Sequence, residues 1–214
     1  VAYAILNDFD YGTTIKEFGR RYPNAGYGGN FFQWLQRSES EPYNSWGNGS
    51  AMRVSPVGYA FEGVERVLEE SRKSAAVTHN HLEGIKGAQA TALAIYWART
   101  GKGKSEIREG IETCFGYDLG RTLEEIRPHY RFDVSCRGSV PESILAFLES
   151  ESVEDAIRKA ISLGGDSDTM GCIAGVIGEA YYGCVPEEIV AEIRERVPKE
   201  FWDIVEGFYR QYVD

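Results

Sequence analysis

The chain has 214 residues, of which 43% are hydrophobic and 26% are charged, a composition typical of a water-soluble globular protein with a sizeable core. Its 33 acidic and 23 basic residues give a formal charge of −10, which disfavours nucleic acid and anionic membrane surfaces as partners because such a surface repels phosphate. The length favours a single domain over residues 1–214.

The ends and the cysteines of the chain indicate a cytoplasmic protein. The sequence contains neither an apolar run of about 18 residues nor the pattern of a signal peptide. The cysteines lack the close spacing of a zinc ribbon or a disulfide framework, so we expect free thiols at Cys114, Cys136, Cys172 and Cys184.

Apolar periodicity predicts a series of helices. Residues 1–6 read as the apolar interior of a helix without a capping residue before it. Further helices are predicted over 62–76, 85–99, 143–148, 153–163, 170–182, 187–197 and 201–212. Ser152 and Asp155 have the spacing of a capping box. Because alternating strand patterns are scarce, we predict an all-α domain.

A glycine-rich loop at 44–53 precedes a predicted helix start. Its glycines alternate with small polar residues and expose backbone N–H groups that can bind a phosphate or pyrophosphate. Trp46 would then cover a base or ribose. The alternative is an ordinary tight turn with Trp46 in the core. Residues 26–30 have the same glycine-rich character.

The segment 78–84 contains two histidines and a glutamate close together. His79, His81 and Glu83 suggest zinc, but their order differs from that of a zincin. Two alternatives stay open at this point. Thr78 or Asn80 caps the next helix, with the imidazoles partly exposed, or His79 hydrogen-bonds a substrate.

The loop at 164–171 carries the strongest chemical signal. Asp166, Asp168 and Thr169 are spaced so that two carboxylates and a hydroxyl converge where a glycine turn enters a helix. Hard oxygen ligands of this kind suit Mg²⁺ or Mn²⁺. The alternative is that Asp168 or Thr169 only caps the helix. Four small residues let that helix lie deep in the core: Gly171, Ala174, Gly175 and Gly178. Carboxylates at the start of a buried helix need cations or several hydrogen-bond donors to offset the cost of desolvation.

Four motifs in order resemble the ADP-ribosylglycohydrolase family. They are GNGSAMR at 47–53, THNH at 78–81 with GIKGA at 84–88, GSVPE at 138–142 and GGDSDT at 164–169. The resemblance implies an all-α orthogonal multi-helix bundle with two central divalent cations, Mg²⁺ or Mn²⁺. It also implies hydrolysis of the glycosidic bond between ADP-ribose and an acceptor, either a protein side chain or a small molecule. ADP-ribose or an ADP-ribosylated protein is then the partner.

The resemblance also implies roles for particular residues. Asp166, Asp168 and Thr169 fall on the metal motif, and Asp166 and Asp168 would act in catalysis with a metal-bound water. The implied substrate-binding residues are Gly28, Gly29, Ser45, Trp46, Asn48, Gly49, Ser50, Met52 and His79.

One departure from the family pattern concerns the N-terminus. The family has a Thr-Asp-Asp metal motif just before the helix that residues 1–6 resemble, and Asp8 and Asp10 lie on the wrong side of that helix to replace it. The chain therefore resembles a member without its N-terminal segment, and we expect it to be a poor hydrolase alone, with at most one weakly held cation. The competing hypothesis is a non-catalytic ADP-ribose-binding module or a crystallin-like structural member.

Overall fold

The computed structural model describes residues 1–213. Apart from an isolated antiparallel bridge between Gly47 and Ser135, the regular structure in this range is helical, so the predicted all-α fold is confirmed. In chain order the helices are α1 Ala2–Asn7, α2 Tyr11–Arg21, α3 Gly29–Gln36, α4 Gly49–Met52, α5 Ser55–Ala60, α6 Val64–Ala76, α7 Leu82–Arg99, α8 Lys104–Phe115, α9 Leu123–Ile126, α10 Cys136–Leu148, α11 Val153–Ile161, α12 Ser167–Tyr182, α13 Glu187–Arg196 and α14 Lys199–Tyr212.

Helix α7 is the central element of the core. It packs against α4, α5, α6, α8, α10 and α12, and it is apolar on all sides, as expected of a buried helix. Its small residues allow close contacts. A Cβ atom added to Gly87 would lie 2.4 Å from Cys136 Sγ. The position of α7 therefore fixes the segments that lead to α4 and α10.

Helix α12 begins at the loop that contains the predicted metal-binding residues. It packs against α11, α10, α7 and α4. Its small residues face α11: a Cβ atom on Gly175 would lie 3.0 Å from Ile157 Cγ1, and one on Gly178 would lie 3.4 Å from Ala156 Cβ. This close packing brings the first turn of α12 against α4 and α10.

The helices predicted from apolar periodicity are all present, with shifted ends. The largest shift is in α10, which begins at Cys136 rather than at 143. Ser135 Oγ accepts a hydrogen bond from the Gly138 amide at 2.9 Å and so caps the helix. The Ser139 and Ser143 hydroxyls donate to carbonyls one turn earlier, so these polar residues fit inside the helix. The helix also contains Pro141.

Several helices were not predicted, and α2 and α3 show why. The fully buried residues of α2 are Gly12, Thr14, Lys16 and Gly19, whereas its large apolar residues, such as Ile15 and Phe18, are only half-buried. Helix α3 begins inside the glycine-rich stretch that was interpreted as a loop, with Gly28 at its N-cap. That loop interpretation of residues 29–30 is wrong because the helix is held in place by the buried side chains of Trp34 and Leu35.

The predicted cap at Ser152 and the predicted free thiols are confirmed. Ser152 Oγ accepts a hydrogen bond from the Asp155 amide at 3.1 Å. The four cysteines are unbonded, and Cys136 is the buried one. Across residues 1–213, each helix is too short or too polar to cross a lipid bilayer.

Candidate functional site

The glycine loop, residues 44–53, is held between two other segments of the chain. On one side, the Asn44 amide donates to Asn80 Oδ1 at 2.8 Å. On the other side, the Asn48 amide donates to the Val134 carbonyl at 2.8 Å, and the Cys136 amide donates to the Trp46 carbonyl at 3.0 Å. The loop is therefore fixed by main-chain contacts with segments far away in the sequence.

Asn48 connects the glycine loop to the start of α12. Its side chain is 6% exposed, and its Nδ2 donates to Asp166 Oδ2 at 2.7 Å and to Ser139 Oγ at 3.1 Å. The two amide hydrogens are thus both used. This contact brings together three of the four sequence motifs, because Asn48, Ser139 and Asp166 each come from a different one.

Asp166 and Asp168 are neighbouring carboxylates at the start of α12. Burial raises the pKa of Asp166, the hydrogen bond from Asn48 opposes the rise, and the Asp168 carboxylate adds to it. Within residues 1–213, neither carboxylate has a Lys, Arg or His nitrogen within 4 Å. Two carboxylates close together without a basic partner favour a bound cation.

The capping alternative for these residues holds only in part. Asp166 occupies the N-cap position of α12 but makes no side-chain capping bond. Asp168 Oδ1 accepts from the amide of the next residue, Thr169, at 2.7 Å, and so satisfies one of the first-turn amides of the helix. The side chains of Asp166 and Asp168 consequently keep oxygen atoms that no capping bond occupies.

The donor atoms suit a hard divalent cation in kind. Asp166, Asp168 and Thr169 offer two carboxylates and one hydroxyl, the oxygen ligands that Mg²⁺ and Mn²⁺ take. The described part of the chain contains no group of three or more His, Cys, Asp or Glu side chains arranged to hold a metal. These three residues would therefore fill part of a coordination sphere of about six positions.

His79 is a buried, neutral imidazole beside the glycine loop. Its ring is 5% exposed, and burial, with a smaller effect of the Arg53 charge, lowers the pKa of His79 to about 3. Nε2 faces the loop: Cβ atoms added to Gly49 and Gly47 would lie 3.2 and 3.7 Å from it. Glycines at these positions leave room for the imidazole edge.

Thr78 joins His79 to Arg53. Arg53 donates to Thr78 Oγ1 at 2.9 Å, and this oxygen lies 2.7 Å from His79 Nδ1. The hydroxyl has one hydrogen and two lone pairs, so this contact fits either neutral tautomer of His79. The Thr78 side chain therefore holds the imidazole ring beside the glycine loop.

The prediction that Thr78 or Asn80 caps α7 is wrong. The N-cap is His81, whose Nδ1 accepts from the Glu83 amide at 3.1 Å. Asn80 instead accepts from the Asn44 amide, and Thr78 contacts His79 and Arg53. The side chains of this segment therefore brace the glycine loop.

The other predicted residues of the glycine loop have distinct environments. Trp46 is 52% exposed, so the interpretation that places it in the core is wrong. Its carbonyl accepts the hydrogen bond from the Cys136 amide, while its side chain lies on the surface. Ser45 Oγ accepts from the Gly47 amide at 3.2 Å, and Ser50 Oγ donates to the Gly84 carbonyl at 2.7 Å. Met52 Sδ lies 3.7 Å from Thr169 Oγ1.

Gly28 and Gly29 stand apart from this cluster. They are exposed at the start of α3, and Cβ atoms added there would meet nothing within 4 Å. Within residues 1–213, no hydrogen bond joins them to the other predicted site residues. Their role in substrate binding stays a prediction.

The structure adds to the site three residues that the sequence did not indicate as binding or catalytic. Arg53 and Thr78 form the network on His79, and Ser139 shares the amide of Asn48. Each lies inside one of the four motifs, so the motifs contained the signal. Which residues of different motifs contact each other could be learned only from the fold.

Comparisons with known proteins find related sequences. The sequence profile of the family described as ADP-ribosylglycohydrolase matches residues 3–213. ADP-ribosylhydrolase ARH3 of Bos taurus is 28% identical over 80% of this chain and 57% of its own length. ADP-ribosylarginine hydrolase Tri1 of Pseudomonas putida (strain GB-1) is 26% identical over 69% of this chain and 42% of its own length. The chain thus spans about half the length of these relatives.

A similar fold occurs in a solved structure of an ADP-ribosylglycohydrolase-related protein complex. The superposition has a TM-score of 0.75 and 24% sequence identity, and it covers 98% of this chain and 77% of the other. The shared fold extends over nearly all of the chain.

Proposed function

The chain belongs to the ADP-ribosylglycohydrolase family, and from this premise we propose that it hydrolyses the glycosidic bond between ADP-ribose and an acceptor group with the help of a divalent cation. The acceptor is a protein side chain or a small molecule. The names of the relatives, ADP-ribosylhydrolase ARH3 and ADP-ribosylarginine hydrolase Tri1, support the reaction class.

The hydrogen bond between Asn48 and Asp166 carries the proposal. Its length of 2.7 Å places the glycine loop directly beside the carboxylates. A ligand with its pyrophosphate on the loop would therefore have its ribose near Asp166 and Asp168. Fixing the substrate beside the reacting groups is a large part of enzymatic rate enhancement.

Main-chain amides and His79 would recognise the nucleotide. The Asn48 amide is already bound to Val134, so it cannot contact a phosphate as the sequence suggested. Ser50 is fully buried, so its amide does not face a ligand. No acceptor within residues 1–213 takes the amide of the half-buried Gly49, which leaves it for the pyrophosphate. With its proton on Nε2, a neutral His79 would add a donor without a formal charge, and the exposed Trp46 indole offers a face for stacking.

Asp166, Asp168 and Thr169 would hold the cation. When bound there, a divalent cation supplies Lewis acidity and makes water a better nucleophile. Asn48 holds one oxygen of Asp166 in place, which orients the other carboxylate oxygen. Ser139 in turn fixes Asn48, so a chain of hydrogen bonds positions the carboxylate from the core.

The proposal is tested with ADP-ribosylated peptides, linked through Arg or through Ser, in the presence of Mg²⁺ or Mn²⁺. Release of ADP-ribose is followed by chromatography for the wild type and for Asp168→Asn, with Asp203→Asn on the remote helix α14 as the matched control. Because the described donors fill only part of a coordination sphere, we expect slow but measurable release by the wild type and the control, and a further loss on the order of 10²-fold in Asp168→Asn.

Two results would contradict the proposal. Tight ADP-ribose binding without turnover of either peptide would support the non-catalytic binding module instead. Equal turnover by wild type and Asp168→Asn would show that these carboxylates do not take part in the reaction.

A further inference from the structure

The chain has two methionines, and their environments are opposite. Met52 is 44% exposed, whereas Met170 is fully buried at 0% exposure. An oxidant dissolved in water can therefore reach the Met52 thioether while the protein stays folded. Met170 Sδ is in the core, where it accepts a hydrogen bond from the Tyr130 hydroxyl at 3.4 Å.

The exposed thioether lies next to the predicted metal-binding residues. Met52 is the last residue of α4, and its Sδ lies 3.7 Å from the hydroxyl oxygen of Thr169. Its carbonyl oxygen accepts a hydrogen bond from Cys172 Sγ at 3.4 Å, which fixes the main chain of Met52 against α12. The sulfur atom is thus held at the border between the glycine loop and the Asp166–Thr169 donor group.

We propose that Met52 is an oxidation site whose conversion to the sulfoxide weakens ADP-ribose binding. This inference rests on the proposed function, because it assumes that ADP-ribose binds at the glycine loop. The oxidant is a hydroperoxide. The sulfur lone pair attacks the terminal peroxide oxygen, the O–O bond breaks, and an S–O bond forms. Sulfur loses two electrons. With hydrogen peroxide, the oxygen bound to sulfur releases its proton to solvent, and the other oxygen takes up a proton and leaves as water.

The sulfoxide changes the chemistry at this border. A thioether is a weak hydrogen-bond acceptor, whereas the sulfoxide oxygen is a strong and polar one. Thr169 Oγ1, already 3.7 Å from the sulfur, is within reach of that oxygen and would donate to it. The new oxygen also takes space beside the glycine loop. We expect ADP-ribose affinity to fall by roughly tenfold, the effect of one lost polar contact.

The experiment measures oxidation and binding on the same samples. The chain is treated with hydrogen peroxide and then with dithiothreitol, which reverses disulfide and sulfenic acid formation at the exposed cysteines Cys114 and Cys184 but not the sulfoxide. Peptide mass spectrometry then locates the added oxygen, and calorimetry gives the dissociation constant of ADP-ribose. We expect oxidation of the Met52 peptide, an unmodified Met170 peptide, and recovery of affinity after treatment with methionine sulfoxide reductases.

Two variants separate this effect from general damage. In Met52→Leu, the affinity after peroxide is compared with that of the same variant before peroxide, and we expect no further change. Met170→Leu keeps the exposed thioether and should lose affinity on oxidation as the wild type does. ADP-ribose present during treatment should slow oxidation of Met52, because the bound ligand covers the sulfur.

The outcomes distinguish the two proposals. If untreated chain binds ADP-ribose and full oxidation of Met52 leaves the dissociation constant unchanged, the inference about Met52 is wrong and the proposed function stands. A loss of affinity in peroxide-treated Met52→Leu equal to that of the wild type would also overturn the inference. If untreated chain does not bind ADP-ribose, both fail.

Discussion

The side chains of Asn48 and Thr78 have little freedom because each takes part in two hydrogen bonds within the site. Asn48 gives one amide hydrogen to Asp166 and the other to Ser139. Thr78 stands between Arg53 and His79 in the same way. At low exposure, a side chain removed from such a network leaves its partners without hydrogen bonds, which costs more than the bond itself contributed.

Replacement of Asn48 by alanine tests this network. Asn48→Ala leaves the buried Ser139 hydroxyl and the Asp166 carboxylate without their donor, and we expect the free energy of unfolding to fall by about 1–3 kcal/mol. Urea denaturation measures the change. Asn7→Ala, which removes an exposed amide on α1, is the control and should change stability by less than about 0.5 kcal/mol. Similar losses in both variants would argue against a special role for Asn48.

Metal binding should depend on the two carboxylates of α12. Asp166→Asn and Asp168→Asn each remove a charged oxygen, so we expect Mn²⁺ or Mg²⁺ affinity to fall by at least about tenfold in each. Titration calorimetry is the measurement, with Asp203→Asn as the control. Unchanged metal binding in both variants, whatever their melting temperatures, would show that the cation is held elsewhere.

The low pKa of His79 predicts a loss of stability in mild acid. Its pKa is about 3 in the folded protein against an ordinary value of 6.5, so the unfolded chain binds more protons and stability falls as the pH drops below 6.5 toward 3. The groups facing the ring are the Arg53 guanidinium, the Thr78 hydroxyl and the Tyr43 ring, 6.1 Å away. Between pH 7.5 and pH 5, this histidine should contribute a loss of about 2 kcal/mol.

The variant His79→Gln isolates the contribution of this histidine to stability, because other groups titrate in the same pH range. The unfolding free energies of wild type and His79→Gln are measured at each pH. The wild-type value minus the variant value should fall by about 2 kcal/mol between pH 7.5 and pH 5. Parallel pH profiles for the two proteins would mean that His79 keeps an ordinary pKa in the folded state.

At the scale of elements, the site depends on how closely the start of α7 approaches the glycine loop. A Cβ atom added to Gly84 would lie 2.6 Å from the Ser45 carbonyl oxygen and 2.9 Å from His79 Cβ. The first of these is main chain, which cannot rotate away. Gly84 therefore allows the first turn of α7 to pack directly against the glycine loop and His79.

Gly84→Ala should destabilise the protein and weaken ADP-ribose binding together. We expect a loss of about 1–3 kcal/mol in unfolding free energy from the clash, although alanine favours a helix over glycine by about 1 kcal/mol. The control is Gly171→Ala in α12, where the nearest atom to the new Cβ is 3.5 Å away. That variant should be as stable as the wild type or more so, and binding unchanged by Gly84→Ala would separate α7 from the site.

An apolar stripe is one of the patterns by which a helix can be predicted from the sequence. Helix α11 has Val153, Ala156 and Ala160 on its buried face, which gives the spacing that sequence analysis detects. Helix α2 buries Lys16, whose ammonium donates to the Glu39 carbonyl at 2.7 Å and lies over the Trp34 ring. A lysine with such tertiary partners looks like a surface residue in the sequence.

The site was predictable as a set of motifs but not as an arrangement. The spacing of Asp166, Asp168 and Thr169 indicated converging oxygens, and the structure places Asp166 and Asp168 together. The engagement of the Asn48 amide by Val134 and the capping of α7 by His81 depend on tertiary contacts. The exposure of Trp46 likewise follows from the Gly47 and Ser135 bridge, which joins residues too far apart for a local pattern.

At the scale of the whole molecule, the net charge of −10 opposes the approach of an anionic ligand. The carboxylates of Asp166 and Asp168 add to this repulsion near the glycine loop. A protein of this kind binds a pyrophosphate through oriented N–H groups and bound cations rather than through a positive surface. Long-range repulsion and the proposed short-range recognition would therefore act in opposite directions on ADP-ribose.

Salt should consequently speed the association of ADP-ribose. Screening weakens repulsion beyond the Debye length of about 10 Å at 0.1 M salt, so we expect the association rate constant in Mg²⁺-containing buffer to rise severalfold between about 0.02 and 0.3 M NaCl. Stopped-flow tryptophan fluorescence measures it, and uncharged adenosine serves as the control ligand. A rate constant that falls with salt would reveal an attractive local potential at the loop.

The positions of Asn48 and Asp166 in the sequence also determine when their hydrogen bond can form during translation. Its partners are 118 residues apart, and the glycine loop meets Val134 and Cys136 before it can meet α12. Since translation proceeds from the N-terminus, the loop leaves the ribosome long before its carboxylate partner, and closing so long a loop has an entropic cost. A nascent chain halted before Asp166 would hold the nucleotide-recognition loop without the cation-binding half, so ribosome-bound intermediates of this length should be unable to retain ADP-ribose.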